Sequence, residues 1–260
     1  MSSQSLNGKV ALITGAGSGI GSAAAVQLAA DGATIVAVDR NGERLSALVA
    51  SLSGTGHRSM ARDLRPASVA KALVAEVVRE AGSIDIVVNS AGVCHFRAMK
   101  DIDAPEWDEI LEVNVRTMFL ISTAAAEAMD ATRGGRIINI GSNAGRKGRA
   151  LSAHYAASKA AVANLTESLA LSYGKKNITA NTVCPAVTDT PMWDELFKEL
   201  NAATGKTRQE LVDGWSKLTP LGRLGSAADV ANLIAFLASP GAAFITGQTI
   251  NVCGGFMLTC

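Results

Sequence analysis

Tyr155 and Lys159 stand four residues apart in an alanine-rich stretch of helical period, so their side chains share one helix face. A tyrosine at its reference pKa of about 10 is a poor base at neutral pH. A lysine ammonium beside it favours the phenolate, and lowering that pKa by about 3 units takes roughly 4 kcal/mol of differential stabilisation. Ser142, thirteen positions before Tyr155, has a hydroxyl that can donate to a carbonyl or alkoxide oxygen that the tyrosine also touches. The chemistry these three residues could do together is proton transfer at an alcohol or ketone oxygen.

A second group could hold a nucleotide. Thr14-Gly15-Ala16-Gly17-Ser18-Gly19-Ile20-Gly21 lies between a β-branched run and a helical stretch. Glycines there let the backbone turn tightly and approach a pyrophosphate, whose charge the following helix N-terminus stabilises. The spacing of Gly15, Gly19 and Gly21 is GxxxGxG rather than GxGxxG. Asp39 ends the next apolar run, 18 residues after Gly21, where a carboxylate can accept from both hydroxyls of an adenosine ribose and repel a 2′-phosphate. Arg40 beside it could instead meet a phosphate, but Ala16, Gly17 and Ser18 add no cation. The residues favour NAD over NADP.

The elements that must position these groups follow from periodicity. Short, continuously apolar runs at 10–14, 34–38, 57–61, 84–89, 136–140, 178–184 and 248–252 predict strands covered on both faces. Helical periods fill 20–30, 43–52, 67–81, 106–131, 153–174 and 227–238 between them. Strand and helix in strict alternation predict an α/β fold, a doubly wound Rossmann-type parallel sheet with helices on both faces. We read residues 1–260 as a single domain. From 187 to 223 no strand is predicted, and Trp193, Phe197 and Trp215 sit among charges. That stretch, about 188–222, reads as a lid over the substrate. Every reactive residue named above, with Asn89 after the fourth strand and Pro185 after the sixth, falls at a strand's carboxyl end or in the helix behind it. Open α/β sheets bind their ligands at that edge.

Composition excludes other classes. Lys plus Arg is 24 and Asp plus Glu is 23, so no basic stripe points to nucleic acid. No run of 18 apolar residues predicts a membrane span, and the segment MSSQSLNGKV has neither the charged nor the apolar region of a secretory signal. The expected location is cytoplasmic. Cys94, Cys184, Cys253 and Cys260 have neither CxxC nor zinc-ligand spacing, so we expect no metal, and buried free thiols with Cys260 as an exposed exception.

In combination and order, the motifs resemble the short-chain dehydrogenase/reductase family over essentially the whole chain. They are the glycine motif, Ser142 followed by Tyr155-Ala-Ala-Ser-Lys159, Asp63-Leu64, Asn89-Ser90-Ala91-Gly92 and Val113-Asn114-Val115. The resemblance implies that Tyr155 is the general acid/base, that Ser142 orients the substrate oxygen, and that Lys159 lowers the tyrosine pKa and binds the nicotinamide ribose. It implies that Asn114 holds a proton-relaying water. Asp63 and Leu64 would contact adenine, Asn89, Ala91 and Gly92 would form the sheet-stabilising turn beside the cofactor, and Pro185 with Thr188 and Thr190 would clasp the carboxamide. The remaining implied contacts are Gly15, Gly17, Ser18, Gly19, Ile20, Asp39 and Arg40. A homotetramer is also implied. Ser90, Ala186 and Cys253 depart from the family's usual Asn, Gly and Asp.

Residues flanking the motifs are expected to face a small-molecule alcohol or ketone: His95, Phe96, Asn143, Arg149, His154, Met192 and Trp193. His95 and Asn143 would bond hydroxyls, while Met192 and Trp193 would cover an apolar side. The lid and Asp39 resemble the NAD-dependent sugar-alcohol and small-diol dehydrogenases of the family. The alternative is a 3-oxoacyl-thioester reductase, a type that usually prefers NADPH. A non-enzymatic NAD-binding regulator is more remote, because such proteins typically lose the Tyr or Lys kept here.

Overall fold

The computed structural model describes residues 5–258, so Cys260 lies outside them. The chain runs β1 (Val10–Thr14), α1 (Gly19–Ala30), β2 (Thr34–Asp39), α2 (Gly42–Ser51), β3 (Arg58–Ala61), α3 (Ala67–Ala81) and β4 (Ile86–Asn89). It continues through α4 (Ala104–Leu111), α5 (Thr117–Ala128), β5 (Gly135–Ile140), α6 (Ala153–Tyr173), β6 (Ile178–Pro185) and β7 (Thr188–Asp189). The last elements are α7 (Met192–Thr204), α8 (Arg208–Leu218), β8 (Gly225–Ser226), α9 (Ala227–Ala238) and β9 (Thr249–Val252).

Seven strands form one parallel sheet in the order β3-β2-β1-β4-β5-β6-β9. The strand order reverses between β1 and β4, which opens a crevice at their carboxyl ends. Thr14 fixes that crevice: its hydroxyl accepts from the backbone N–H of Ser90 and of Ala91, 3.2 Å each. Alternate β-strand residues point to opposite faces, so the apolar runs feed two cores. Ile13, Ile35 and Val88 pack with α1 and α9, while Leu12, Val36 and Val87 pack with α3, α5 and α6. A buried polar ladder crosses the second layer. Asn89 donates to Ser122 and Asn139, Asn139 to Thr166, and Thr182 to Thr166, at 2.8–2.9 Å. Those bonds tie three strands to α5 and α6.

Two expectations are corrected. The helix expected over 106–131 begins at Ala104, capped by Asp103, because Pro105 sits in the first turn where its missing N–H costs nothing. It is then interrupted by a π-helical turn at Glu112–Arg116 that carries Asn114. The turn takes in one extra residue, too small an insertion for periodicity to reveal. The stretch from 187 to 223 is also not free of strand at its margin, since β7 pairs in parallel with β8. That pairing fixes the base of α7 and α8. Among the described residues, no helix is long and apolar enough to cross a membrane.

Candidate active site

A cleft of about 660 Å³ follows the carboxyl edge from Asp39 to Trp215. At its nucleotide end the backbone itself makes the cradle. Gly15 has φ +65°, and a Cβ there would sit 2.7 Å from the Ala91 nitrogen, so only glycine lets β1's loop close on β4's. Ser18, Gly19 and Ile20 line the cleft as α1 begins, aiming free N–H groups at it. Asp39 ends β2, and its carboxylate accepts from Gly17 N–H at 3.1 Å and Asn41 N–H at 3.0 Å. Arg40, Asp63, Leu64, Ala91 and Gly92 line the same end. Asp63 is gripped by Arg65, whose hydrogen bonds hold its carboxyl below the usual range.

The reactive groups meet at the other end. Ser142 follows β5 and caps the short 3-10 turn behind it, accepting from Ala144 N–H at 3.1 Å. Gly145 lets that turn lie on α6, because a Cβ would fall 2.6 Å from the Lys159 carbonyl carbon. Tyr155 and Lys159 project from α6 into the cleft, with the Lys159 ammonium 5.7 Å from the Tyr155 ring centre. Lys159 donates to the Ile140 carbonyl at 2.8 Å, and burial pulls its pKa down to about 8. Burial pushes the Tyr155 phenol well above its ordinary value and Cys94 adds to the rise, while a hydrogen bond with Ser142 opposes it. In the protein alone, burial therefore outweighs the lowering of Tyr155 expected from Lys159. Within the protein the opposing group is Ser142, and the ammonium is itself disfavoured by burial.

Pro185, Thr188 and Thr190 close the cleft beyond β6, with Thr190 side-chain atoms 3.4 Å from where a Gly19 Cβ would stand. Asn143, Met192 and Trp193 also line it, as do Phe96 and Arg149. Trp193 stacks obliquely on Trp215 at 5.1 Å, on Phe197 at 5.4 Å and on Phe96 at 6.1 Å. The substrate end thus has an aromatic wall built jointly by α7, α8 and the loop after β4.

Other predicted residues lie elsewhere. Gly17 is behind the cleft lining, where its missing side chain lets its N–H reach Asp39; a Cβ would be 2.8 Å from the Asp39 Cγ. Asn89 is spent on the interior ladder. The Asn114 side chain accepts from Val93 N–H and donates to the Val93 carbonyl and Ser158, bracing the loop beneath Lys159 rather than facing the cleft. His95 is held between Glu199 at 3.4 Å and Glu109 at 3.6 Å, outside the lining. His154 is fully buried against Glu106 at 3.0 Å, and burial lowers its pKa. One helix residue turns the chain by about 100°, so the neighbour of Tyr155 faces a different way.

Not expected from the sequence were Arg44, Arg62, Arg65 and Phe256 on the cleft lining, and Glu199 behind it. Glu199 clamps α7 to the loop after β4, accepting from Phe96 N–H at 2.7 Å and meeting Arg97 at 3.4 Å. The cluster of arginines around Asp39 and Asp63 was a readable signal. Glu199 and Phe256 carried none, being far along the chain from what they touch.

Comparison with known proteins agrees with this geometry. A family model described as short chain dehydrogenase matches residues 9–201. Short-chain reductase protein NovJ of Streptomyces niveus is 37% identical over 248 residues, 95% of this chain and 93% of that protein. The 3-oxoacyl-(acyl-carrier-protein) reductase FabG of Escherichia coli is 37% identical over 251 residues, 96% and 98% of the two chains. A solved Brucella melitensis short-chain dehydrogenase/reductase, described as a glucose/ribitol dehydrogenase, superposes with a TM-score of 0.89 at 32% identity over 100% of both chains. The chain belongs to the short-chain dehydrogenase/reductase family and is an oxidoreductase acting on CH–OH or keto groups.

Proposed function

We propose that the protein is an NAD-dependent oxidoreductase interconverting a secondary alcohol and a ketone whose apolar body rests on the aromatic wall. One observation carries this reading: a single cleft presents Ser142, Tyr155 and Lys159 beside Phe96, Trp193 and Trp215. Bound NAD would supply the hydride acceptor and, in its oxidised ring, a positive charge favouring the Tyr155 phenolate. Gly15, Ser18, Gly19, Ile20, Asp39, Ala91, Gly92, Pro185, Thr188 and Thr190 would hold it, and the cradle that only glycine permits at Gly15 fits that role.

In the oxidation direction, the substrate hydroxyl hydrogen-bonds Ser142 and passes its proton to the Tyr155 oxygen as the C–H electron pair leaves the carbinol carbon. The C=O bond forms as the C–H bond breaks. Reduction reverses each transfer, with Tyr155 giving its proton to the alkoxide. Lys159, anchored on Ile140, holds the ribose of the cofactor. Asn114 acts as a positioning residue through Val93 and Ser158, and its π-turn backbone is the part left for a water. Residues 188–222 serve as the lid of a single catalytic domain, in a cytoplasmic homotetramer.

The sugar-alcohol reading keeps Asn143 on the cleft lining but loses His95, which is engaged by two carboxylates. A 3-oxoacyl-thioester substrate is the second reading, favoured by the relatives named for that reaction. The test is formation of NADH from NAD, or of NADPH from NADP, with polyols, apolar secondary alcohols and 3-hydroxyacyl thioesters. We expect turnover of apolar alcohols or thioesters with NAD. Turnover of polyols alone, or with NADP alone, would overturn the reading.

A further inference from the structure

We propose that Arg149 anchors an anionic group of the substrate, a carboxylate or a phosphate, so that the protein acts on acidic ketones and hydroxy compounds. This rests on the oxidoreductase reading above and names its substrate class. Arginines elsewhere in the chain are paired: Arg133 with Asp85, Arg223 with Asp229, Arg208 with Asp194, Arg97 with Glu106. Among the described residues Arg40, Arg44 and Arg149 have no side-chain hydrogen bond or ion pair, and all three line the cleft. Arg40 and Arg44 stand beside Asp39 at the nucleotide end. Arg149 stands alone at the other, in the loop joining the turn behind Ser142 to α6.

No lining carboxylate neutralises it. Asp39 is taken by two backbone N–H groups, Asp63 by Arg65, and Glu109 faces His95. Arg149 is partly buried, lines the same cleft as Ser142, Ser152 and Tyr155, lies between Ser142 and Tyr155 in the chain, and is two residues from Leu151, which packs with Trp193 and Phe96. A guanidinium in such surroundings presents a planar fork that matches a carboxylate or phosphate bidentately. Water competes less well there than on an open surface. The aromatic wall would take the apolar body while Arg149 fixes the charged end, setting which carbon faces the tyrosine.

The test compares 3-benzoylpropionate with its methyl ester, and phenacyl phosphate with phenacyl alcohol, as substrates of the wild-type protein, Arg149→Lys and Arg149→Gln. We expect the wild type to prefer the anion of at least one pair by about thirty-fold in kcat/KM, mostly in KM, equivalent to the ~2 kcal/mol of a charge-assisted hydrogen bond. The preferred pair identifies carboxylate or phosphate. Arg149→Gln should bring that ratio within about three-fold, with Arg149→Lys between and NADH binding unchanged, since a point charge keeps part of the attraction. Neutral and anionic ketones turned over alike, or a preference surviving in Arg149→Gln, would overturn the proposal while leaving the oxidoreductase reading intact. Titrating 3-benzoylpropionate and phenacyl phosphate against tryptophan fluorescence of the NAD complex, where a ketone has no hydride to accept, decides the point without turnover. Binding of either that Arg149→Gln abolishes supports the anchor even where no ketone is reduced, which would count against the reaction alone. Binding of neither, or binding unaffected by Arg149→Gln, rejects the anchor.

Discussion

The two ends of the parallel sheet treat charge in opposite ways. At the amino end, Asp85 is 2% exposed and its carboxylate is fully occupied: Val10 N–H at 3.0 Å, Lys9 at 3.2 Å, Arg133 at 2.9 and 3.2 Å, and the Ser83 hydroxyl at 3.1 Å. Those partners outweigh burial and hold its pKa below the ordinary carboxylate value. At the reactive part of the carboxyl end, burial prevails. Lys159 is pulled down to about 8, Tyr155 is pushed up, and Arg149 has no protein partner among the described residues. One edge closes its electrostatics within the chain and ties β1, β4 and β5 together. The other leaves its charges strained, where a ligand can complete them.

The comparison can be broken at either edge. The largest effect belongs to Tyr155→Phe, which removes the group argued to move the proton. Turnover should fall by about 10²–10⁴, the usual span for general acid/base work, with NADH affinity nearly unchanged in a fluorescence titration. Retention of more than about a tenth of turnover would end that assignment. Lys159 gives the next effect, through stability. Its folded pKa, about 8, lies below the 10.5 of an unperturbed lysine, so the folded state disfavours the proton. Relative to Lys159→Met, the wild type should gain stability as pH rises from about 8 to 10.5, by up to about 3 kcal/mol in denaturant unfolding. A flat difference across that window would mean the ammonium is better solvated than its burial implies.

At the opposite edge, Asp85→Asn should cost about 2 kcal/mol of unfolding free energy, because it leaves Lys9 and Arg133 without their carboxylate. Both cations are partly exposed, which keeps the loss at the low end. The wild-type contribution is present above the unfolded carboxylate pKa and disappears as pH falls through the lowered folded value. Kinetics of Asp85→Asn at neutral pH should match the wild type. The smallest effect is on cofactor choice. Asp39→Ala should shift the kcat/KM ratio toward NADP by about ten-fold, ~1.4 kcal/mol, as the carboxylate no longer repels a 2′-phosphate that Arg40 and Arg44 can meet. An unchanged ratio would make Asp39 only a brace for the glycine loop.

Much of this was legible in the sequence, for identifiable reasons. β-branched runs such as Val10–Thr14 had one solution, a strand buried on both faces, and the structure places them within two residues of expectation. The glycine loop, Ser142, Tyr155 and Lys159 were readable because their chemistry requires particular residue types at fixed offsets from those strands. His95 and His154 were misread because adjacency along the chain is not adjacency in space; both found carboxylates instead. The π-turn at Asn114 and the Glu199 clamp were not legible, since one rests on a single extra residue in a helical turn and the other on a contact 103 positions apart. Pairing of charges is likewise invisible in sequence, so Arg149 could be placed near the substrate but not recognised as unpaired until its neighbours were known.

Chemistry resides at one edge of the sheet and stability at the other. The most direct measurement is a double-mutant cycle joining Tyr155→Phe to Asp85→Asn, with turnover and unfolding free energy read on all four proteins. We predict that the double variant has the turnover of Tyr155→Phe and the stability of Asp85→Asn, with coupling under about 0.5 kcal/mol in each readout. Coupling above about 1 kcal/mol in turnover would contradict it, because the amino-end network would then be part of the catalytic machinery.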